Sequence, residues 1–112
     1  MNKYIRNIII VFIITVCTHA LAVAKLPQDF DEPVYVDFAV DYARSMEHGD
    51  LNAIIDYPGV REHPALVKLA YGLTIYTKGI ANNYSESLET SRVVSAVFGV
   101  IATILVALFD PF

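Results

Sequence analysis

The sequence has a single cysteine, Cys17. One thiol cannot form an intramolecular disulfide, and alone it builds no thiolate metal site. It lies inside an apolar run, so it does not decide the redox compartment. Ile14-Thr15-Val16-Cys17 has only a loose likeness to a lipoprotein cleavage box, because Val16 is too large for the position before the cysteine. Basic charge is also scarce. Eight Lys and Arg stand against twelve Asp and Glu, for a net charge of −4, which excludes the basic field that nucleic acid requires. The imbalance is sharper in the middle, where residues 25–92 hold six basic and eleven acidic side chains. Lys, Arg, Asp and Glu are absent from residues 8–24 and again from residues 93–109. The chain has no internal repeat and no low-complexity segment. Its 112 residues allow one small domain at most.

The apolar residues that make up 55% of the chain are therefore gathered at its two ends. A soluble core is not written this way, since it spreads apolar residues at period 2 or 3.6. Lys3 and Arg6 precede the first run. A helix over residues 4–24 spans about 30 Å, the thickness of a bilayer's hydrocarbon core. Its basic flank is expected to stay cytoplasmic and the residues after Ala24 to face outward. The same segment also reads as a signal peptide, with Ala22-Val23-Ala24 as the cleavage site. The second uncharged run favours the hairpin, because a hairpin explains both apolar ends together. Small residues Ser95, Ala96, Gly99, Ala102 and Thr103 along that run suit close packing against another helix.

Between the runs, Asp31 or Glu32 can cap a helix with Pro33 in its first turn. Val34, Phe38, Tyr42 and Met46 recur every four residues, flanked by Tyr35, Ala39 and Ala43, and Gly49 supplies the stop. Residues 50–61 read as a loop with one turn at 51–55, broken by Pro58-Gly59. A second amphipathic helix is expected over about residues 64–78, with Leu66, Leu69, Ala70, Leu73 and Tyr76 or Thr77 as its stripe, interfacial or packed on other helices. Asn83-Tyr84-Ser85 matches the N-glycosylation pattern, and Ser87-Leu88-Glu89-Thr90 resembles a capped helix start. The resulting fold is all-α: a membrane helical hairpin with transmembrane helices over residues 4–24 and 92–109. An extracytoplasmic loop over residues 25–91 carries amphipathic helices at about 33–48 and 64–78. Both termini are cytoplasmic.

Two strings in the loop carry chemistry. Asp31-Glu32 is a helix cap favoured by the helix dipole, or else a carboxylate at the membrane surface whose raised pKa suits a general base. Glu62-His63-Pro64 is a second capped start with Pro64 at its first position, or a partial metal site short of the four ligands that a closed site needs. His19 and His48 are isolated. Asp37 and Asp41 share a helix face with Arg44 near, which reads as a solvated face.

Taken in order, these residues resemble the start of the protein O-mannosyltransferase-like superfamily. The likeness rests on Asp31-Glu32, Tyr42-Ala43-Arg44, Gly49-Asp50, Glu62-His63-Pro64-Ala65-Leu66, Lys68-Leu69, Tyr71-Gly72-Leu73, and Arg92 with Ser95-Ala96. It covers roughly residues 8–108. The resemblance implies a polytopic GT-C membrane glycosyltransferase that moves a sugar from a polyprenyl-phosphate donor to an acceptor on the outer or lumenal side. Asp31 then matches the first-loop aspartate, a catalytic base or acceptor-orienting group, and Glu32 its neighbour. His63 and Pro64 match the string near the donor site. Glu62 matches an acidic residue that contributes to a divalent metal site in some relatives acting on lipid A. Ala65 stands where a second proline is usual. Arg61, Lys68 and Arg92 are the cations available for the donor phosphate. The family enzymes have many more membrane helices, so the chain is expected to be the N-terminal hairpin of such an enzyme, inactive without the remainder. Its implied partners are membrane lipid, the polyprenyl-phosphate sugar and the remaining helices, with no nucleic acid. The alternatives are a small non-enzymatic hairpin that binds a partner helix in the bilayer, and a secreted helical protein released at Ala24.

Overall fold

The computed structural model describes residues 2–57, 65–80 and 83–109. They form five helices: α1 (Lys3–Lys25), α2 (Glu32–Glu47), α3 (Leu51–Ile55), α4 (Ala65–Lys78) and α5 (Tyr84–Phe109). No β-strand occurs among the described residues. The chain divides into two compact units. One comprises α1 and the part of α5 from Ser95 onward, and the other comprises residues 28–94.

In the first unit, α1 and the end of α5 run antiparallel as a hairpin. The Tyr4 hydroxyl donates to the Leu108 carbonyl at 3.3 Å, while further along α1 the His19 ring lies against Gly99. A Cβ built on Gly99 would meet that imidazole, so glycine here leaves room for the His19 ring as it is placed. The interior polar groups are satisfied locally. Thr18 Oγ1 and His19 Nδ1 both donate to the Thr15 carbonyl at 2.9 Å, and Thr103 Oγ1 donates to the Gly99 carbonyl at 2.9 Å. Back-bonding of this kind lets hydroxyls sit in an apolar helix without an orphaned donor. Asn2 caps α1 by accepting from the Tyr4 N–H.

Both long helices are long and apolar enough to cross a membrane. Their large side chains point outward: Ile9, Ile10, Phe12, Ile13 and Ile14 on α1, and Val97, Phe98, Ile101, Leu105 and Val106 on α5, are all exposed. A soluble core helix would bury such residues; here they are left facing outward. The second long helix is longer than its uncharged run. It starts at Tyr84, where the Asn83 carboxamide oxygen accepts from the Glu86 N–H at 2.8 Å. The cap is therefore Asn83, not Ser87, which is buried inside the helix.

In the second unit, α2 packs along α4. The contact is tight because small residues meet: Ala39 and Ala43 of α2 are fully buried, and a Cβ on Gly72 of α4 would come within 2.8 Å of Tyr42 Cβ and 3.1 Å of the Ala39 carbonyl. Ile75 joins them, with Val40, Tyr71 and Ile80 at the edge. Ala39, Tyr42 and Ala43 of the expected stripe and its flank are thus buried; Val36 joins them, and Val34 is exposed. Gly49 ends α2 with φ +69°, and the Asp50 N–H reaches back to the Ser45 carbonyl at 2.9 Å. Only glycine adopts that left-handed backbone without cost. α3 is a single capped turn packed on α2, with Asp50 accepting from the Ala53 N–H. Lys78 ties the end of α4 to the start of α5 through Thr90 Oγ1 at 3.1 Å and Glu86 at 3.7 Å.

Candidate functional site

Pro33 and Glu32 open α2, and Asp31 takes the N-cap position. Its backbone carbonyl accepts from the Val34 and Tyr35 N–H groups at 3.2 and 3.4 Å. Its carboxylate makes no capping hydrogen bond and is exposed. The residues just before the helix bond among themselves instead. Asp29 accepts the Phe30 N–H at 2.7 Å, and Glu32 Oε2 accepts the Asp29 N–H at 2.8 Å.

Glu32 is occupied in a second way. Arg92 Nε donates to Glu32 Oε1 at 2.8 Å and Arg92 Nη2 donates to Glu32 Oε2 at 2.7 Å. The Glu32 side chain is 28% exposed and the Arg92 side chain 16%. A planar two-point pair of this kind is the strong form of the ion pair. The Arg92 guanidinium holds the Glu32 carboxyl below its ordinary range, although partial burial pushes the other way. A carboxylate so held is a weak proton acceptor. Nearby, Gln28 Nε2 donates to the Tyr84 hydroxyl at 2.8 Å, a further link between the entry to α2 and the start of α5.

A second polar group lies between α2 and the chain after α3. The Tyr57 hydroxyl donates to Asp41 Oδ2 at 2.6 Å, and its ring meets Phe38 and Tyr42 edge-on at 5.4 and 5.2 Å. Burial and then the Asp41 carboxylate push the Tyr57 phenol up to about 12. Lys68 is only 4% exposed, with its Nζ 4.9 Å from the centre of the Phe38 ring. The buried lysine stem and the aromatic face under its head are among the contacts that hold this cation on the inner side of α4. Asp41 also faces Arg44 at 3.8 Å, an exposed pair that contributes little.

Of the residues singled out in the sequence, Glu32 and Arg92 are brought together, with Asp31 beside them. Lys68 packs on the Phe38 ring. Arg61, Glu62, His63 and Pro64 lie outside the described residues. No three His, Cys, Asp or Glu side chains converge as metal ligands among the described residues. Tyr57 and Asp29 were not legible as site neighbours. Tyr57 stands in a stretch with no hydrophobic period, and Asp29 acts through its backbone N–H, which no side-chain pattern reports.

No family model, curated protein or solved structure matches the chain.

Proposed function

We propose that the chain is a membrane hairpin whose extracytoplasmic loop forms the acceptor-activating part of a glycosyltransferase that uses a polyprenyl-phosphate sugar. The observation that carries this reading is the corner at the start of α2. Glu32 is clasped by Arg92, and the neighbouring Asp31 carboxylate is exposed and makes no capping hydrogen bond. The linker over residues 26–31 is short, reaching about 20 Å when fully extended. In this reading it tethers Asp31 to a membrane helix. The ordered likeness to the mannosyltransferase-like superfamily supplies the reaction class.

In this reading Asp31 takes the proton of an acceptor hydroxyl. The freed oxygen forms a bond to the anomeric carbon of the sugar. The bond from that carbon to the phosphate oxygen breaks, and polyprenyl phosphate leaves with the electron pair. Glu32 and Arg92 hold the turn that presents Asp31. Lys68 is inward and Arg92 is neutralised by Glu32, so the leaving phosphate draws its counter-charge from Arg61, His63 and further membrane helices acting with the hairpin.

The test uses native membranes that carry the chain, a radiolabelled polyprenyl-phosphate sugar and a photoactivatable analogue of it. Wild-type membranes are expected to transfer label, and the chain to be cross-linked in competition with unlabelled donor. Asp31→Asn is expected to keep the cross-link while lowering transfer by about 10²–10⁴, the usual worth of a general base. Full transfer by Asp31→Asn, or no donor-competed cross-link to wild type, would overturn the reading and leave a non-enzymatic hairpin.

A further inference from the structure

α4 is built inside out for a helix on a water-soluble unit. Its lysine, Lys68, faces inward against α2 at 4% exposure, beside Gly72 and Ile75. Two of its leucines face outward, Leu66 at 71% exposed and Leu73 at 53%, with Tyr76 at 43%, while Leu69 is half-buried. By helical geometry Leu66, Leu69, Ala70, Leu73, Tyr76 and Thr77 share one arc, and that arc holds no charged residue. α2, packed against the opposite side of α4, has the reverse character. Its outer residues Asp37, Arg44 and Glu47 are charged and exposed. The pair thus presents one face written for water and one written against it.

We infer that the outer arc of α4 is a lipid-contacting surface, inserted at the boundary between headgroups and acyl chains. Three observations choose lipid as the occupant. The unit is joined in the chain to both helices long and apolar enough to cross a membrane: residues 26–31 lead to it from α1, and its own last residues, 84–94, are the start of α5. Links that short hold the arc at high effective concentration near a bilayer. The arc is edged by Tyr76, whose ring and hydroxyl suit an interface that is apolar on one side and wet on the other. The lack of charge on the arc leaves nothing to select a charged protein partner, while apolar area alone suffices for an interfacial helix. The inference rests on the membrane reading of α1 and α5.

The chain has no tryptophan, so one introduced indole reports without background. The experiment places L73W, or Y76W as a second reporter on the same arc, in the full chain reconstituted in lipid vesicles. L105W on α5 reports the membrane span, and E47W on α2 reports the water face. The L73W emission is expected to be blue-shifted, strongly quenched by lipids brominated near the top of the acyl chains and insensitive to aqueous iodide. E47W is expected to show the opposite. Iodide quenching of L73W, with L105W still quenched by brominated lipid, would overturn the inference and leave the membrane hairpin standing. If neither quencher reaches L73W while L105W responds to lipid, a second copy or a partner protein covers the arc, and the inference also fails. L105W unresponsive to brominated lipid would overturn the membrane reading itself.

Discussion

Replacing Gly72 by leucine is expected to separate α4 from α2 and to unfold the second unit locally. A single methyl at this position already falls 2.8 Å from Tyr42 Cβ and 3.1 Å from the Ala39 carbonyl, and both neighbours are fixed by the backbone of α2. Two effects compete for Gly72→Ala. Helix propensity favours alanine by about 1 kcal/mol. Overpacking costs about 1–3 kcal/mol. The steric term wins because no flexible side-chain end can move aside. Gly72→Leu adds further carbons with no space to hold them, so its cost exceeds that of alanine and the helices must part. The measurement is hydrogen exchange of the α4 amides in the reconstituted protein. A loss of about 1.4 kcal/mol lowers protection tenfold, so Gly72→Leu is expected to lower it by about a hundredfold. Thr77→Leu, on the outward arc, is expected to leave it unchanged. Equal protection in Gly72→Leu and wild type would contradict the close crossing.

The second large effect is expected at the clasp. Arg92→Ala leaves the Glu32 carboxylate partly buried with one neutral donor, the Asp29 N–H, in place of two charged ones. Loss of one partner from a half-buried charged pair costs about 1–3 kcal/mol, less than for a fully buried pair because water still reaches Glu32. Glu32→Ala alone is expected to cost a similar amount. The double variant is expected to cost less than the sum, the sign of direct coupling.

The pH dependence is set by the direction of the Glu32 shift. Its folded-state pKa is depressed below the ordinary value of 4.5, chiefly by Arg92. The unfolded chain therefore binds this proton more readily than the folded chain. The clasp's contribution is complete above about pH 4.5 and is lost as the pH falls through the depressed folded value. Thermal unfolding of wild type and Arg92→Ala should differ clearly at neutral pH and converge in strong acid. A difference independent of pH would show that Arg92 acts through packing alone.

The hairpin was legible because its signal is coarse. Two long uncharged runs around an acidic middle can be read without knowing any contact, and they fold as α1 and the end of α5. The stop at Gly49 was legible for a local reason, since only glycine takes that backbone cheaply. The face of α2 was legible in part: Ala39, Tyr42 and Ala43 belong to the expected stripe or its flank and are buried, while Val36 was not in it. The stripe of α4 reads as interfacial or packed on other helices, without a choice between them; α4 turns Lys68, Gly72 and Ile75 inward and leaves Leu66 and Leu73 exposed. Period alone reports that a helix has two faces. It does not report which face meets protein when the other can meet lipid. The start of α5 was misplaced for a similar reason: Ser87 looked like a cap, but Asn83 takes the Glu86 N–H first and Ser87 is buried one turn later. At the candidate site, Glu32 and Arg92 were each singled out, but as separate functions. Their pairing joins positions sixty residues apart, and no local pattern reports such a contact.

Topology is the most direct test of the central claim that a membrane hairpin presents its loop outside the cell. In a Cys17→Ser background, single cysteines at Lys3 and Ser85 are treated in intact cells with a membrane-impermeant maleimide. The hairpin predicts that Ser85→Cys is labelled at once, that Lys3→Cys is labelled only after permeabilisation, and that the chain stays with the membrane in alkaline carbonate. Labelling of Lys3→Cys in intact cells, or release of the chain by carbonate, would contradict it.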